Sequence, residues 1–146
     1  MGQAINNRIL TATKMLELPS PIILCVRRPD FDKAIKENGY HIVTVNLPLA
    51  KALQGRTVQE ISTSVTPIII DLLPKGNAVY LIDYEILFDP RYKLDVMKLF
   101  CEISKHNKLI INWCGGSTDD SLTYAEPGYD DYVKYRINDY EIACVI

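Results

Sequence analysis

Five apolar runs punctuate this chain, and they constrain its fold more than any other feature: IILCV at 22–26, HIVTVN at 41–46, AVYLID at 78–83, KLIINW at 108–113 and EIACVI at 141–146. None of them alternates apolar with polar residues along its whole length, as a strand with one wet face would. A strand tolerates an uninterrupted apolar sequence when both of its faces are buried, the situation in a parallel sheet sandwiched between helices. The segments between the runs have the matching character. Residues 4–17 place Ile5, Ile9, Leu10 and Leu16 near helical spacing, and Pro19 and Pro21 stop that helix before the first run. Pro29 and Asp30 open a short charged helix over about 30–38, closed by Gly39. Residues 47–73 read as a helix in two pieces divided near Gln54-Gly55-Arg56. Thr57 and Glu60 sit in capping-box positions at the start of the second piece, and Pro67 is expected to kink it or end it early. A further helix is expected over 91–106.

The expectation is therefore a single α/β domain over 1–146: a five-stranded, mostly parallel sheet with helices on both faces, a helix over 1–18, and a Tyr- and Asp-rich excursion over 115–136. The strand at 78–83 is expected beside the one at 22–26. With 48% hydrophobic and 23% charged residues, the chain has the make-up of a globular domain with a buried core, which excludes disordered and fibrous classes.

Charge narrows the partners. The 16 basic and 18 acidic residues nearly balance, so no chain-wide field draws the protein to phosphate backbones or anionic membranes. DNA would be met only indirectly, through a partner. Asp119, Asp120, Glu126, Asp130, Asp131, Asp139 and Glu141 outweigh Lys134 and Arg136 at the C-terminal end, which should repel DNA. Cys25, Cys101, Cys114 and Cys144 have no C-x-x-C spacing and read as small buried hydrophobes of a reducing cytoplasm. A leader-like apolar region, a membrane span and a myristoylation signal are all missing from the sequence as given, so a cytoplasmic protein without a membrane contact is expected. Neither His41 nor His106 has a ligand at metal-binding spacing.

Ligands of open parallel sheets bind beyond the carboxyl ends of the strands. Residues there include Arg27 and Arg28, Asn46, then Asp83 with Glu85, then Asn112 ahead of Gly115-Gly116. An apolar strand ending in a carboxylate can hold Mg²⁺, with a second acid polarising an attacking water, and a polar residue on the next strand can reach the same water. Asp83, Glu85 and Asn112 are accordingly expected to converge. An acid at a strand end serves equally well as a helix cap. The glycines at 115–116 could shape an anion-binding nest or a plain turn. Tyr124, Tyr129, Tyr132, Tyr135 and Tyr140 suit packing of the excursion or a protein interface better than base stacking, since acids surround them.

The stretches VTVNLPLAKAL (43–53), VYLIDYEILFDP (79–90), KLFCEISKHNKLIINWCGG (98–116) and LTYAEPGYDDYVKY (122–135) together resemble the BrxF family, small P-loop proteins of BREX phage-defence systems. LTYAEPG is the most specific of these pieces. The resemblance spans about residues 20–140. It implies a P-loop NTPase-like fold, with Asp83 as the magnesium-holding acid, Glu85 as the catalytic acid and Asn112 near the sensor position. It also implies ATP and Mg²⁺ as cofactors where the site works, and other BREX proteins or a second copy of the chain as partners. One departure stands out. Where the family has G-x-x-x-x-G-K-[ST], this chain runs from Val26 into Arg27-Arg28-Pro29-Asp30-Phe31-Asp32-Lys33, and no glycine occurs between Gly2 and Gly39.

Three functions follow: a phage-defence subunit with a degenerate phosphate loop acting in assembly or regulation, an ATPase whose phosphates are held by Arg27 and Arg28, or an unrelated α/β binding module. The first is expected to bind ATP weakly or not at all.

Overall fold

In the computed structural model, which describes all 146 residues, the apolar runs do become strands. The elements in chain order are β1 (Gln3–Ile5), α1 (Ala12–Leu16), β2 (Ile22–Leu24), α2 (Pro29–Glu37), β3 (His41–Thr44), α3 (Asn46–Leu53), α4 (Val58–Leu72), β4 (Val79–Ile82), α5 (Val96–Ile103), β5 (Leu109–Asn112), β6 (Gly116–Ser117), β7 (Ser121–Tyr124), β8 (Val133–Arg136) and β9 (Ala143–Val145). Six of the strands form one sheet in the order β1-β9-β2-β5-β4-β3, and every pairing in it is parallel. β6, β7 and β8 make a separate antiparallel sheet.

Parallel pairing explains the apolar runs. Ile22, Ile23, Val79, Leu81, Ile110 and Ile111 are all fully buried, whichever face they point to. Complete burial of one such side chain stabilises the fold by about 1.5–3 kcal/mol. The larger of two core clusters lies on the face covered by α3, α4 and α5, around Leu81, Ile111, Phe100 and Trp113. The smaller lies under α1 and α2, around Met15, Ile22, Phe31, Ile35 and Ile110.

Three expectations about the main sheet and the N-terminal segment need correction. The main sheet has six strands rather than five, because Gln3–Ile5 adds an edge strand along β9. The helix expected over 1–18 is instead that strand, a 3-10 turn at Asn7–Ile9 and the short α1. Three residues are too few to show a period in sequence, and the strand exists because β9 offers it a hydrogen-bonding edge. Finally, 78–83 does not lie beside 22–26: β5 stands between them, pairing with β2 on one side and β4 on the other.

The Thr57 and Gly39 signals act as read, although Glu60 returns no side-chain bond to Thr57. Thr57 accepts the Glu60 backbone N–H to start α4, and Gly39, with φ +78°, turns the chain out of α2. α4 nonetheless runs through Pro67 to Leu72. Its buried stripe, Ile61, Val65 and Ile69, holds the helix on the sheet across the missing hydrogen bond. The helix expected over 91–106 is confined to α5, opened by the Asp95 side chain, with 3-10 turns at Glu85–Phe88 and Pro90–Tyr92 ahead of it.

The excursion is ordered by packing. Leu122, Tyr135 and Ile137 belong to the large core, Tyr124 stacks on Phe88 with ring centroids 3.8 Å apart, and Tyr135 meets Tyr140 edge to face. Tyr129, 67% exposed, points to solvent.

Candidate functional site

The carboxyl edge of the main sheet carries the strand-end residues Arg27, Asn46, Asp83, Glu85 and Asn112. Leu81 of β4 stands beside Ile111 of β5, so Asp83 leaves the sheet one residue beyond the position flanking Asn112. Neighbouring strands are about 4.8 Å apart, which makes the two residues close neighbours along the backbone. Their side chains nonetheless serve different surroundings.

Asp83 has φ +51°, the left-handed region that Asp tolerates better than most residues. That conformation breaks the strand and turns its carbonyl towards α3, where it accepts the backbone N–H groups of Val45 and Asn46 at 3.1 and 2.7 Å. The carboxylate is exposed and in none of the chain's ion pairs. Glu85 is fastened to the α3 side: Asn46 Nδ2 donates to Glu85 Oε2 at 2.7 Å, and Asn46 Oδ1 accepts the Ile86 N–H at 2.9 Å. Asn46, which strand direction alone puts at this edge without giving it a role, is thus what positions the second acid.

Between the two acids, Tyr84 turns inward and is fully buried. Its hydroxyl donates to the Asn112 carbonyl at 2.7 Å and accepts the Cys114 N–H at 3.1 Å, tying the ends of β4 and β5 together. Asn112 faces the α2 side, its Oδ1 buried and without a hydrogen-bond partner. It lines a cleft with Arg27, whereas Glu85 lines another with Phe88, Asp89 and Tyr124. Glu85 and Asn112 therefore line different clefts of the edge that they share with Asp83.

The two arginines part company as well. Arg28 is fully engaged: it pairs with Asp30 at 2.6 Å, donates to the carbonyls of Asn7 and Leu10 at 2.6 and 3.1 Å, and lies over the Phe31 ring at 3.9 Å. These contacts dock the N-terminal segment on α2. Arg27 is exposed and donates only to the Trp113 carbonyl, at 3.3 Å.

The start of α2 does not form a phosphate cradle. The helix begins at Pro29, which has no N–H to offer, and Asp30 and Asp32 occupy its first turn. Acids at a helix N-terminus occupy the positive end that a phosphate would need. No group of three or more His, Cys, Asp or Glu side chains is clustered so as to hold a metal ion.

Burial raises several thiols and phenols. It pushes the Cys25 thiol up to about 11 against the opposing pull of Ser117 and Arg27, and raises Cys144 further. It also lifts Tyr84 and Tyr140 above the usual phenol range and takes Tyr135 up to about 12. A phenol whose pKa is raised in the folded state contributes stability that is complete below its unfolded pKa and lost as the pH rises through the folded one. We expect melting temperatures to fall between about pH 10 and pH 12, with tyrosinate absorbance from these side chains growing in step with unfolding. Full ionisation of all nine tyrosines in a still-folded chain at about pH 11 would contradict this.

Compared with family models, curated proteins and solved structures, the chain matches none.

Proposed function

We propose that this chain is a P-loop-derived subunit of a BREX phage-defence system that does not hydrolyse ATP and works by binding other proteins of that system. The observation that carries the reading is the junction of β2 and α2. Only Cys25 to Arg28 separate the strand from the helix, and Arg28 is already committed to Asp30, Asn7 and Leu10. There is no loop to wrap a phosphate, no Lys-Ser/Thr pair to contact it and Mg²⁺, and an acid where the phosphate would sit. The acidic strand end lies one strand further along the sheet, beyond β5, with Asp83 used as a turn and Glu85 held by Asn46.

The excursion supplies the surface for assembly. LTYAEPG forms β7 and the turn after it, anchored by the Tyr124–Phe88 stack, so that Tyr129 is presented to solvent from a fixed base. Aromatic side chains of this kind are the usual anchors of protein interfaces. Co-purification of the tagged chain with the other proteins of a BREX operon tests the reading. Changing Tyr129 and Tyr132 together to Ala should reduce the recovered complex by about tenfold or more, the loss of one interface anchor of roughly 2 kcal/mol, with the melting temperature barely changed. Complexes that survive the double change would place the contact elsewhere. Recovery of none of these proteins with the unaltered chain would leave it as an α/β module outside the system.

A further inference from the structure

The face of the main sheet beneath α1 and α2 is covered unevenly. Those two helices pack over Ile22, Leu24, Ile110 and Val145, while Ile42 on the edge strand β3 stays 48% exposed. Where α2 ends its cover, a cleft of about 270 Å³ opens onto the sheet.

Its lining is part apolar and part charged. Ile42, Tyr80 and Ile82 come from β3 and β4 of the sheet. Asp32 and Lys36, one turn apart, come from α2, Asn112 from the end of β5, and Arg27 from the segment after β2. None of the chain's ion pairs includes Arg27, Asp32 or Lys36. Three charged side chains thus line one small cleft without an ion pair between any two of them. Arg27 makes a single hydrogen bond, to the Trp113 carbonyl, so most of its guanidinium donors are free. The side-chain amide of Asn112 is unpartnered at Oδ1. Tyr80 is pushed up first by burial and then by the Asp32 carboxylate, with Arg27 opposing, so both charges are felt at the same phenol.

We infer that this cleft binds a small organic anion, its carboxylate or phosphate head between Arg27 and Lys36 and its apolar body on Ile42, Tyr80 and Ile82. Two cations against one carboxylate select an anion, and a guanidinium fork suits planar or tetrahedral oxyanions. The apolar part of the lining selects an organic body over a bare ion, and the volume limits that body to about one ring. Asp32 accepts an N–H or O–H group where the ligand carries one. The inference stands on this cleft alone and does not depend on the chain's place in phage defence.

Phenyl phosphate, phenylacetate and inorganic phosphate separate the elements of the claim when titrated into the ¹⁵N-labelled full chain. At least one of the two phenyl compounds should produce saturable shifts at Asp32, Lys36, Ile42 and Asn112, and the tighter of them identifies the head group. Inorganic phosphate should bind about tenfold or more weakly than phenyl phosphate, since it leaves the apolar lining uncovered. Arg27→Gln and Lys36→Gln should each weaken binding about tenfold, the size of one charge-assisted hydrogen bond. Asp32→Asn should tighten both phenyl compounds, which carry no donor and are repelled by that carboxylate. Arg27 and Lys36 are exposed, and unchanged spectra elsewhere in the chain will show that these variants are folded. Saturable shifts in neither phenyl titration, or affinities unchanged in both Gln variants, would overturn the inference.

Discussion

Calorimetric titration of the chain with ATP is expected to give no saturable heat, with or without Mg²⁺, and phosphate release in its presence is expected to stay at the rate of buffer. This result is expected because phosphoryl transfer is accelerated almost wholly by positioned charge, and each positioned group removed costs about 10²–10³ in rate. Here several are missing together. No glycine-rich loop that could cradle phosphates follows β2; a helix starts at Pro29 with Asp30 and Asp32 in its first turn. Arg28, just ahead of that helix, is held by Asp30 and by the carbonyls of Asn7 and Leu10. Glu85 is held by Asn46 and lines a different cleft from the one that Asn112 lines. Mg²⁺-dependent turnover that disappears in Asp83→Asn would reverse this conclusion. Arg27, whose guanidinium is largely free, would then be the next residue to change.

Gly115→Ala should destabilise the protein by about 3 kcal/mol, the upper end of what an overpacked methyl costs. An added Cβ at this position falls on the Thr123 carbonyl and lies 2.9 Å from its carbon and 3.2 Å from Tyr124 Cα. All three are backbone atoms of β7, which cannot swing aside as a side-chain tip would. Relief requires β6 and β7 to part. That movement strains the Gly116–Thr123 pairing, the Trp113 Nε1 bond to the Gly116 carbonyl at 2.9 Å, and the Tyr124–Phe88 stack that fixes the excursion to the core. A fall in melting temperature of roughly 6–12 °C is expected for a domain of this size. Gly116→Ala is the matched control, because its Cβ would meet only the Thr123 hydroxyl, which can rotate. Equal melting temperatures for the two variants would show that the close approach at Gly115 is not what holds the small sheet in place.

Much of the scaffold was legible because its causes are local. β2, β4 and β5 are apolar almost throughout, and β9 is flanked by buried Ile142, since each is covered on both faces. The Thr57–Glu60 cap and the left-handed Gly39 act within a few residues of themselves. β3 is the instructive exception. HIVTVN is apolar enough to read as a central strand, yet β3 lies at the sheet edge with His41, Ile42 and Thr44 exposed. Periodicity reports that a segment can be a strand, and the neighbours it acquires decide how far it is buried.

The candidate site was legible as a set of residues and illegible as an arrangement. Strand ends placed Arg27, Asp83, Glu85 and Asn112 on one edge, since ligand-facing positions of a parallel sheet follow from strand direction alone. Where each side chain turned could not be read, because the partners that turn them are far away in the chain. Arg28 is taken up by the carbonyls of Asn7 and Leu10, Glu85 is fastened by Asn46 from the start of α3, and Tyr84 bridges to the end of β5.

By itself, then, the sequence determined a parallel α/β sheet, the start of α4 at Thr57, the turn out of α2 at Gly39 and the lack of a glycine-rich segment after β2, all of which depend on side-chain polarity and backbone freedom within short windows. Tertiary structure alone decided the sixth strand, the order that sets β5 between β2 and β4, the separation of Glu85 from Asn112 and the charged cleft beside α2. Each of these arises when groups remote in sequence compete for the same hydrogen bonds and the same buried surface, and that competition is resolved only when the whole chain has packed.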